Sequence, residues 1–178
     1  MSRKRSFRVG RSRTGLGLFA TAPIKKRTII AEYKGRLLST EQAEKCEARN
    51  ARYLYEINSR WTIDGKSRRN LARYANHSCR PNAESDTTRD RRVIIRAIKN
   101  IKPGDEITYD YGEDYFDVYL KPIGCKCLKC IEKRREARRA RVAKTRAREA
   151  RRKRAAAKAR AEKAAARRKS ANGAHREA

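Results

Sequence analysis

The most constraining feature of this 178-residue sequence is the near absence of large apolar residues from its last 48 positions. Between residues 131 and 178, only Ile131 and Val142 carry large apolar side chains, while Ala, Arg and Lys dominate. A segment without an apolar stripe has too little surface to bury and cannot build its own core. Any folded domain therefore lies within the first 130 residues, a length that suits one domain.

The C-terminal segment, residues 132–178, is predicted to be a basic tail. Its three common residue types favour helix, and no Pro or Gly occurs between residue 131 and Gly173. A continuous helix from 131 to 170 would extend about 60 Å. Repulsion between like charges opposes helix formation in the free chain, so a helical tail and a disordered tail both remain open.

The charge distribution suggests a polyanionic partner. The chain has a formal net charge of +29. Residues 131–178 hold 20 basic and 5 acidic residues, or +15, so about half of the excess lies in the tail. Nucleic acid is the simplest partner for such a surface, and a solubilising disordered tail is the alternative. We expect the main nucleic-acid contacts from the basic run Arg151, Arg152, Lys153 and Arg154.

Several classes of protein are excluded. No apolar run approaches the ~18 residues of a membrane span, and the charged start lacks the apolar stretch of a signal peptide. We therefore expect an intracellular monomer with no membrane partner, in a bacterial cytoplasm with its nucleoid or in a eukaryotic nucleus. Five Cys, three of them crowded between 125 and 130, favour metal thiolates over a disulfide framework.

The remaining sequence predicts a mainly β domain. Residues 1–13 form a basic arm with six Lys or Arg and no acid. From residue 14 to about 120, short β-like runs alternate with turn residues. Ser39 and Gln42 form a capping box that opens a helix to about residue 50, and a short helix is predicted at 70–74. The predicted strands are 18–20, 28–33, 36–38, 53–57, 61–63, 93–97 and 106–109.

Three segments carry possible binding chemistry, and each has a plainer alternative. Gly15-x-Gly17 could let a backbone approach a ligand closely, or could be a turn that enters a strand. His77 is the one histidine within the domain, either functional or held by local hydrogen bonds in its polar loop. Tyr109 and Tyr111 share a strand face, either at a site or as core aromatics with wet hydroxyls.

The clustered cysteines indicate a zinc site. Cys125, Cys127 and Cys130 supply three thiols within six residues, and tetrahedral zinc needs a fourth ligand. Cys46 lies in the first predicted helix and is better explained as a small packed residue. Cys79 lies in the polar loop beside His77. A zinc site of Cys79, Cys125, Cys127 and Cys130 would hold the C-terminal segment against that loop.

Four segments, 14–19, 73–82, 106–112 and 125–130, together resemble the SET-domain family of S-adenosylmethionine-dependent protein lysine methyltransferases. The resemblance covers about residues 7–131. It implies a β-clip-like fold of small sheets with a C-terminal pseudoknot, a SET domain at 14–120 and a zinc-binding post-SET segment at 121–131. Two residues separate Cys127 from Cys130, fewer than the four of many members.

The resemblance also implies roles for individual residues. The cofactor S-adenosylmethionine would be held by Gly15, Leu16, Gly17, Arg73, Asn76 and His77. Tyr111, with Tyr109, would be catalytic at the inner end of a lysine channel, and Tyr33 and Tyr53 would line its walls.

The function implied is mono- or dimethylation of a lysine in a histone-like or other basic, nucleic-acid-associated protein. In the family, a tyrosine at the position of Tyr109 tends to restrict the number of methyl groups. The alternative is a non-catalytic nucleic-acid-binding protein that carries a silent SET domain.

Overall fold

The computed structural model describes the backbone of residues 5–174 and the side chains as far as residue 165. The chain divides at residue 131 into a β-rich unit and a helical unit. The first four residues of the predicted basic arm and the last four of the predicted tail lie outside the described residues.

The β-rich unit is built from three small sheets, as predicted. Their strand orders are β1-β2-β10-β7, β3-β9-β8 and β4-β6-β5. The strands are β1 Phe7–Ser12, β2 Gly15–Ala20, β3 Ile29–Tyr33, β4 Arg36–Ser39, β5 Leu54–Asn58, β6 Trp61–Asp64, β7 Asn76–His77, β8 Ala83–Thr87, β9 Val93–Ala97 and β10 Glu106–Tyr109.

The first helix, α1, spans Thr40–Glu47 and begins at the predicted capping box. The Ser39 hydroxyl accepts the backbone N–H of Gln42 at 3.4 Å, and the Gln42 side-chain oxygen accepts the backbone N–H of Ser39 at 3.2 Å. The helix ends three residues before the predicted end. Asn50 has a φ of 56°, in the left-handed region that ends helices.

The other helical segments are short, except for the last. The helix predicted at 70–74 is a 3₁₀ turn at Leu71–Tyr74. One α-helical turn, α2, at Glu113–Tyr115 continues into a π-helical turn at Phe116–Leu120. The long helix α3 spans Leu128–Ala174.

The prediction of a separate basic arm at residues 1–13 is wrong for β1. This strand forms an antiparallel hairpin with β2, in which Phe7 pairs with Ala20. Phe7 and Val9 pack against the core, and the guanidinium of Arg8 lies 5.6 Å from the centre of the Phe19 ring. The alternation of apolar and polar residues is a strand pattern that the high charge of the segment concealed.

The late strand β10 is enclosed by much earlier parts of the chain. It pairs antiparallel with β2 and parallel with β7. The Asn82 side chain also holds β10 in place. Its amide N–H donates to the carbonyl oxygen of Glu106 at 2.8 Å, and its amide oxygen accepts the backbone N–H of Thr108 at 2.9 Å. This arrangement is what the predicted pseudoknot requires, and it brings the 76–82 loop beside residues 106–111.

As far as its side chains are described, to residue 165, the helical unit has no apolar face. Every side chain from residue 132 to residue 165 is exposed, including Val142. The tail is therefore helical, one of the two forms left open by the sequence. No described helix is long and apolar enough to cross a membrane.

Candidate active site and metal centre

Tyr111 lies at the centre of an aromatic cluster just beyond the end of β10. Its hydroxyl donates a hydrogen bond to the carbonyl oxygen of Ala75 at 2.9 Å. The ring centroids of Tyr109 and Tyr115 lie 4.8 and 5.1 Å from that of Tyr111. The strand spacing of 109 and 111 thus places two phenol groups together, while α2 contributes a third that the sequence did not indicate.

Tyr33 and Tyr53, the predicted channel walls, contact each other. The Tyr33 hydroxyl donates to the carbonyl oxygen of Tyr53 at 2.8 Å, and the Tyr33 ring lies 5.5 Å from that of Tyr55. Both residues are close enough to influence the pKa of Tyr111 electrostatically. The structure therefore brings all four predicted site tyrosines into one region.

Burial keeps these hydroxyls protonated. It raises the pKa of Tyr33 and of Tyr111, with a further contribution to Tyr111 from neighbouring phenols. Burial also raises the pKa of Tyr109 well above its ordinary value. At neutral pH the cluster consists of uncharged hydroxyls, which donate and accept hydrogen bonds but do not serve as strong bases.

Asn76 connects β2 to β10. Its side-chain N–H groups donate to the carbonyl oxygen of Leu16 at 3.0 Å and to a carboxylate oxygen of Glu106 at 2.7 Å. Gly17 makes room for that carboxylate, since a Cβ at Gly17 would lie 2.5 Å from the same oxygen. Glu106 is a site residue that the sequence reasoning missed, because only the fold brings it to Gly17.

A cavity of about 220 Å³ lies beside this network. Asn76 and His77 line it, together with Glu106. Gly15, Leu16 and Gly17 adjoin it through the Leu16–Asn76 hydrogen bond. Basic side chains also reach the cavity, from Arg13, Arg80, Lys126 and Lys129.

Arg73 lies beside the tyrosine cluster, and its predicted contact with the cofactor stays a prediction. It is not among the residues that line the cavity. Its guanidinium carbon lies 3.7 Å from the centre of the Tyr53 ring, and its Nη1 donates to the carbonyl oxygen of Lys66. Arg73 therefore belongs to the tyrosine cluster, because stacking on Tyr53 holds its side chain there.

The four predicted zinc ligands lie together. All four sulfur atoms are within 4.8 Å of one another, with Cys79 Sγ at 3.6 Å from Cys130 Sγ and 4.0 Å from Cys125 Sγ. A zinc ion with ~2.3 Å bonds to four sulfurs separates them by about 3.8 Å. The cluster fits tetrahedral zinc, and Cys46 is not part of it.

The thiols of the cluster differ in acidity. Burial raises the pKa of Cys79, and it raises that of Cys125 to about 11. For Cys127 burial acts in the same direction, but backbone hydrogen bonds from Cys79 and Cys130 outweigh it and lower the pKa to about 7. Four thiolates at this spacing repel one another, so a bound cation is the natural means of holding them ionised.

His77 lies between the cysteines and Tyr111. Its Nε2 is 3.2 Å from Cys79 Sγ, and its Nδ1 accepts the backbone N–H of Tyr111 at 3.3 Å. The ring also contacts the rings of Tyr111 and Phe116, each with centroids 5.5 Å away. Burial lowers the pKa of His77, opposed by the charge of Asp110.

The sequence profile of the SET domain matches residues 15–112, more than half of the chain. The chain belongs to the SET-domain family. The matched region of this SET domain contains the glycine segment, the Asn76-His77 loop, Tyr109 and Tyr111, while Cys125, Cys127 and Cys130 follow it.

Curated relatives of this SET domain are much longer proteins. It is 39% identical over 121 residues to the Drosophila melanogaster histone-lysine N-methyltransferase trr, covering 64% of this chain and 5% of that protein. It is 37% identical over 135 residues to the Caenorhabditis elegans histone-lysine N-methyltransferase set-2, covering 70% and 9%. A Schizosaccharomyces pombe histone-lysine N-methyltransferase, H3 lysine-4 specific, is 35% identical over 136 residues, covering 71% and 14%.

Solved structures agree with the fold. A Chaetomium thermophilum polycomb repressive complex 2 in an autoinhibited conformation, bound to S-adenosylmethionine, superposes with a TM-score of 0.56 at 29% identity. The match covers 61% of this SET-domain chain and 15% of the other chain. The related complex with H3K27me3 and H3K27M has a TM-score of 0.56 at 27% identity.

Proposed function

We propose that this chain is an S-adenosylmethionine-dependent protein lysine N-methyltransferase that mono- or dimethylates a lysine of a histone-like or other basic protein. The observation that carries the proposal is the position of the buried tyrosine cluster around Tyr111, next to the cavity at Asn76 and His77. The family membership and the relatives named histone-lysine N-methyltransferases support the same reaction.

The cavity suits the proposed cofactor by its charges. S-adenosylmethionine carries two cationic groups, an ammonium and a sulfonium, and one carboxylate. The cavity offers acidic side chains from Asp105 and Glu106 and basic ones from Arg80 and Lys126. Both N–H groups of the Asn76 side chain already donate hydrogen bonds within the protein. Its amide oxygen is therefore the atom that can accept a hydrogen bond from the cofactor's ammonium group.

The cofactor, when bound, supplies an activated methyl group, and the tyrosine cluster prepares its acceptor. A lysine side chain has a reference pKa of ~10.4, so taking the neutral amine at pH 7 costs about 4–5 kcal/mol. A buried cluster of uncharged phenols disfavours the ammonium form and lowers this cost. Aligning the amine with the methyl group is then the main contribution of the protein.

Within this reaction we assign Tyr111 an orienting role. Its hydroxyl proton is directed to the Ala75 carbonyl, so its oxygen is free to accept a hydrogen bond from the amine. Its raised pKa argues against service as a base. Tyr109 is almost fully buried beside it, and its hydroxyl would occupy space that a further methyl group needs.

A basic substrate segment has an acidic surface to approach. Glu113 and Asp114 are exposed in the turn that contributes Tyr115 to the cluster, and Asp117, exposed in the next turn, pairs with Lys121 at 3.0 Å. Attraction between this surface and lysine-rich peptides would favour encounter with the channel. We propose zinc as a structural ion at Cys79, Cys125, Cys127 and Cys130, holding the post-SET segment against the same site.

We also propose that α3 binds nucleic acid. Residues 132–165 carry 16 basic against 4 acidic side chains, all of them exposed. The run from Arg151 to Arg154 encircles the helix, since one turn takes 3.6 residues. Such a surface binds phosphates without a preferred sequence. It would keep an intracellular, monomeric enzyme near nucleic-acid-associated substrates, in a nucleus or a nucleoid.

A test of cofactor binding distinguishes an active enzyme from a catalytically silent SET domain. We expect S-adenosylmethionine to bind the purified protein in a calorimetric titration, and radiolabelled methyl groups to transfer to at least one of a panel of histones and nucleoid proteins. A protein that binds nucleic acid but neither binds the cofactor nor transfers methyl groups would be the non-catalytic alternative.

A further inference from the structure

We propose that the His77 side chain is a positioning residue that couples the cysteine cluster to Tyr111. Its two ring nitrogens connect a zinc-ligand sulfur, Cys79 Sγ, with the backbone of the residue proposed to orient the amine. The catalytic consequence rests on the proposed function, whereas the link to the metal centre does not.

The hydrogen bond at Nδ1 fixes which nitrogen carries the proton. The Tyr111 N–H points at Nδ1 from 3.3 Å, so Nδ1 accepts and bears no hydrogen. Asp110 is the charged group that faces this nitrogen, but its nearer carboxylate oxygen is 3.6 Å away, beyond hydrogen-bond length. A ring without hydrogen on Nδ1 carries it on Nε2.

The proton on Nε2 points at the cluster. Nε2 lies 3.2 Å from Cys79 Sγ, so the ring donates an N–H···S hydrogen bond. A metal-bound thiolate is a better acceptor than a thiol, because charge strengthens the bond. Metal occupancy therefore tightens the hold of Cys79 on the imidazole.

The other side of the ring acts on Tyr111. The strand β10 ends at Tyr109, so its sheet pairing does not fix Tyr111 directly. Tyr111 is held by the Ala75 carbonyl and by His77 Nδ1, both from the segment that leads to Cys79. Loss of the metal would loosen this segment and, through the imidazole, the position of the Tyr111 hydroxyl.

Two substitutions in the zinc-loaded 178-residue protein separate hydrogen bonding from packing. His77→Phe keeps a ring against Tyr111 and Phe116 but removes both hydrogen bonds. His77→Gln retains an amide N–H that can reach sulfur. We expect His77→Phe to weaken zinc binding about ten- to a hundredfold, the range typical of lost hydrogen bonds to metal ligands, and His77→Gln to recover part of it.

Cobalt in place of zinc gives a readout that is independent of activity. Loss of an N–H donor makes the thiolate a stronger electron donor, so we expect the sulfur-to-cobalt charge-transfer bands of His77→Phe to shift to longer wavelength. The amide resonance of Tyr111 should move on metal removal in the wild type and respond much less in His77→Phe. Unchanged cobalt spectra and zinc affinity in His77→Phe would overturn the proposal.

The outcomes remain separable if a variant or the proposed function fails. If His77→Phe does not fold, the wild type still decides the coupling, and no effect of zinc removal on its Tyr111 amide would overturn it. If the wild type transfers no methyl group, the proposed function fails, while the cobalt and amide measurements still decide the link. In an active enzyme, His77→Phe should lower kcat more than it raises the KM for peptide.

Discussion

At the scale of single residues, Tyr109 carries the most specific chemical prediction. Its hydroxyl is buried, and its ring centroid lies 4.8 Å from that of Tyr111. Removing that hydroxyl in Tyr109→Phe gives room for another methyl group without emptying the ring site. We expect the variant to shift products toward the trimethyl state in mass spectra of the methylated substrate.

The matched control for this change is Tyr119→Phe, whose ring is 53% exposed and packs on Tyr115 at the edge of the cluster. It should leave the product distribution as in the wild type. If the wild type, Tyr109→Phe and Tyr119→Phe gave the same distribution of methylated products, the Tyr109 hydroxyl would not limit the number of methyl groups.

Gly17 carries a second prediction at this scale. A methyl group there would displace the Glu106 carboxylate and thereby the Asn76 amide that lines the cavity. A hydrogen bond to a charged group contributes about 1.5–3 kcal/mol, so we expect Gly17→Ala to weaken cofactor binding roughly ten- to a hundredfold by calorimetry.

Gly10→Ala is the control, since Gly10 pairs with Gly17 in the same hairpin. A Cβ at either glycine meets the Phe19 ring, but the one at Gly10 also meets the flexible end of Arg8, whereas the one at Gly17 meets Glu106 and Ser12. Equal losses of cofactor affinity in the two variants would show that the effect comes from the hairpin and not from Glu106.

The buried phenols also predict how stability depends on pH. The pKa values of Tyr33, Tyr109 and Tyr111 are raised by burial, so the unfolded state loses these protons first, near pH 10. Above pH 10 the folded state therefore holds more protons than the unfolded state. The stabilising contribution of the three phenols is fully present below pH 10, and the free energy of unfolding falls as the pH rises above it. Denaturant titrations from pH 8 to 11 measure this, and a constant free energy of unfolding across that range would contradict burial of the three hydroxyls.

At the scale of elements, the post-SET segment is predicted to depend on zinc. Cys125, Cys127 and Cys130 converge on Cys79, and Leu128 between them is half exposed. Cys130→Ser, or a chelator, should increase hydrogen exchange from residue 125 onward, while the amides of β9 in the core stay protected. Cys46→Ser is the matched control, because Cys46 lies in α1 outside the cluster. Unchanged exchange in the chelated protein would contradict a metal at this site.

The helix α3 supplies a prediction about salt. Binding through phosphates makes the logarithm of the affinity fall linearly with the logarithm of salt concentration. Replacing Arg151, Arg152, Lys153 and Arg154 with Gln should lower affinity for duplexes of any sequence and reduce the slope by about one per lost contact. Retention of the wild-type affinity and slope would exclude this run as a contact surface.

Local sequence patterns were sufficient to predict some elements, but not the contacts between distant parts of the chain. The capping box, the strand alternation and the spacing of the three late cysteines are local patterns, and they predicted α1, most strands and three of the four clustered cysteines. The strand β7 has only two residues, so its pairing with β10 has no local signature. The role of Glu106 and the stacking of Arg73 on Tyr53 depend on that kind of long-range contact, which a single sequence does not encode at fixed spacing.

At the scale of the whole molecule, a basic SET domain is followed in the chain by a basic helix. The β-rich part of the chain is itself positively charged, at +14 for residues 1–130. A basic enzyme that acts on basic proteins needs either a local acidic surface, such as that around Glu113, or a polyanion that binds both. Nucleic acid would satisfy the second requirement, which predicts that methylation of a nucleic-acid-bound substrate exceeds that of the free protein.

The central claim is lysine methylation at a channel built around Tyr111. Its most direct test is mass spectrometry of histones and nucleoid proteins after incubation with S-adenosylmethionine and either the wild type or Tyr111→Phe. The account predicts one or two methyl groups on a lysine with the wild-type protein, and at most a small fraction of that with the variant, at unchanged cofactor affinity. Equal methylation by both proteins, or none by the wild type despite bound cofactor, would contradict it.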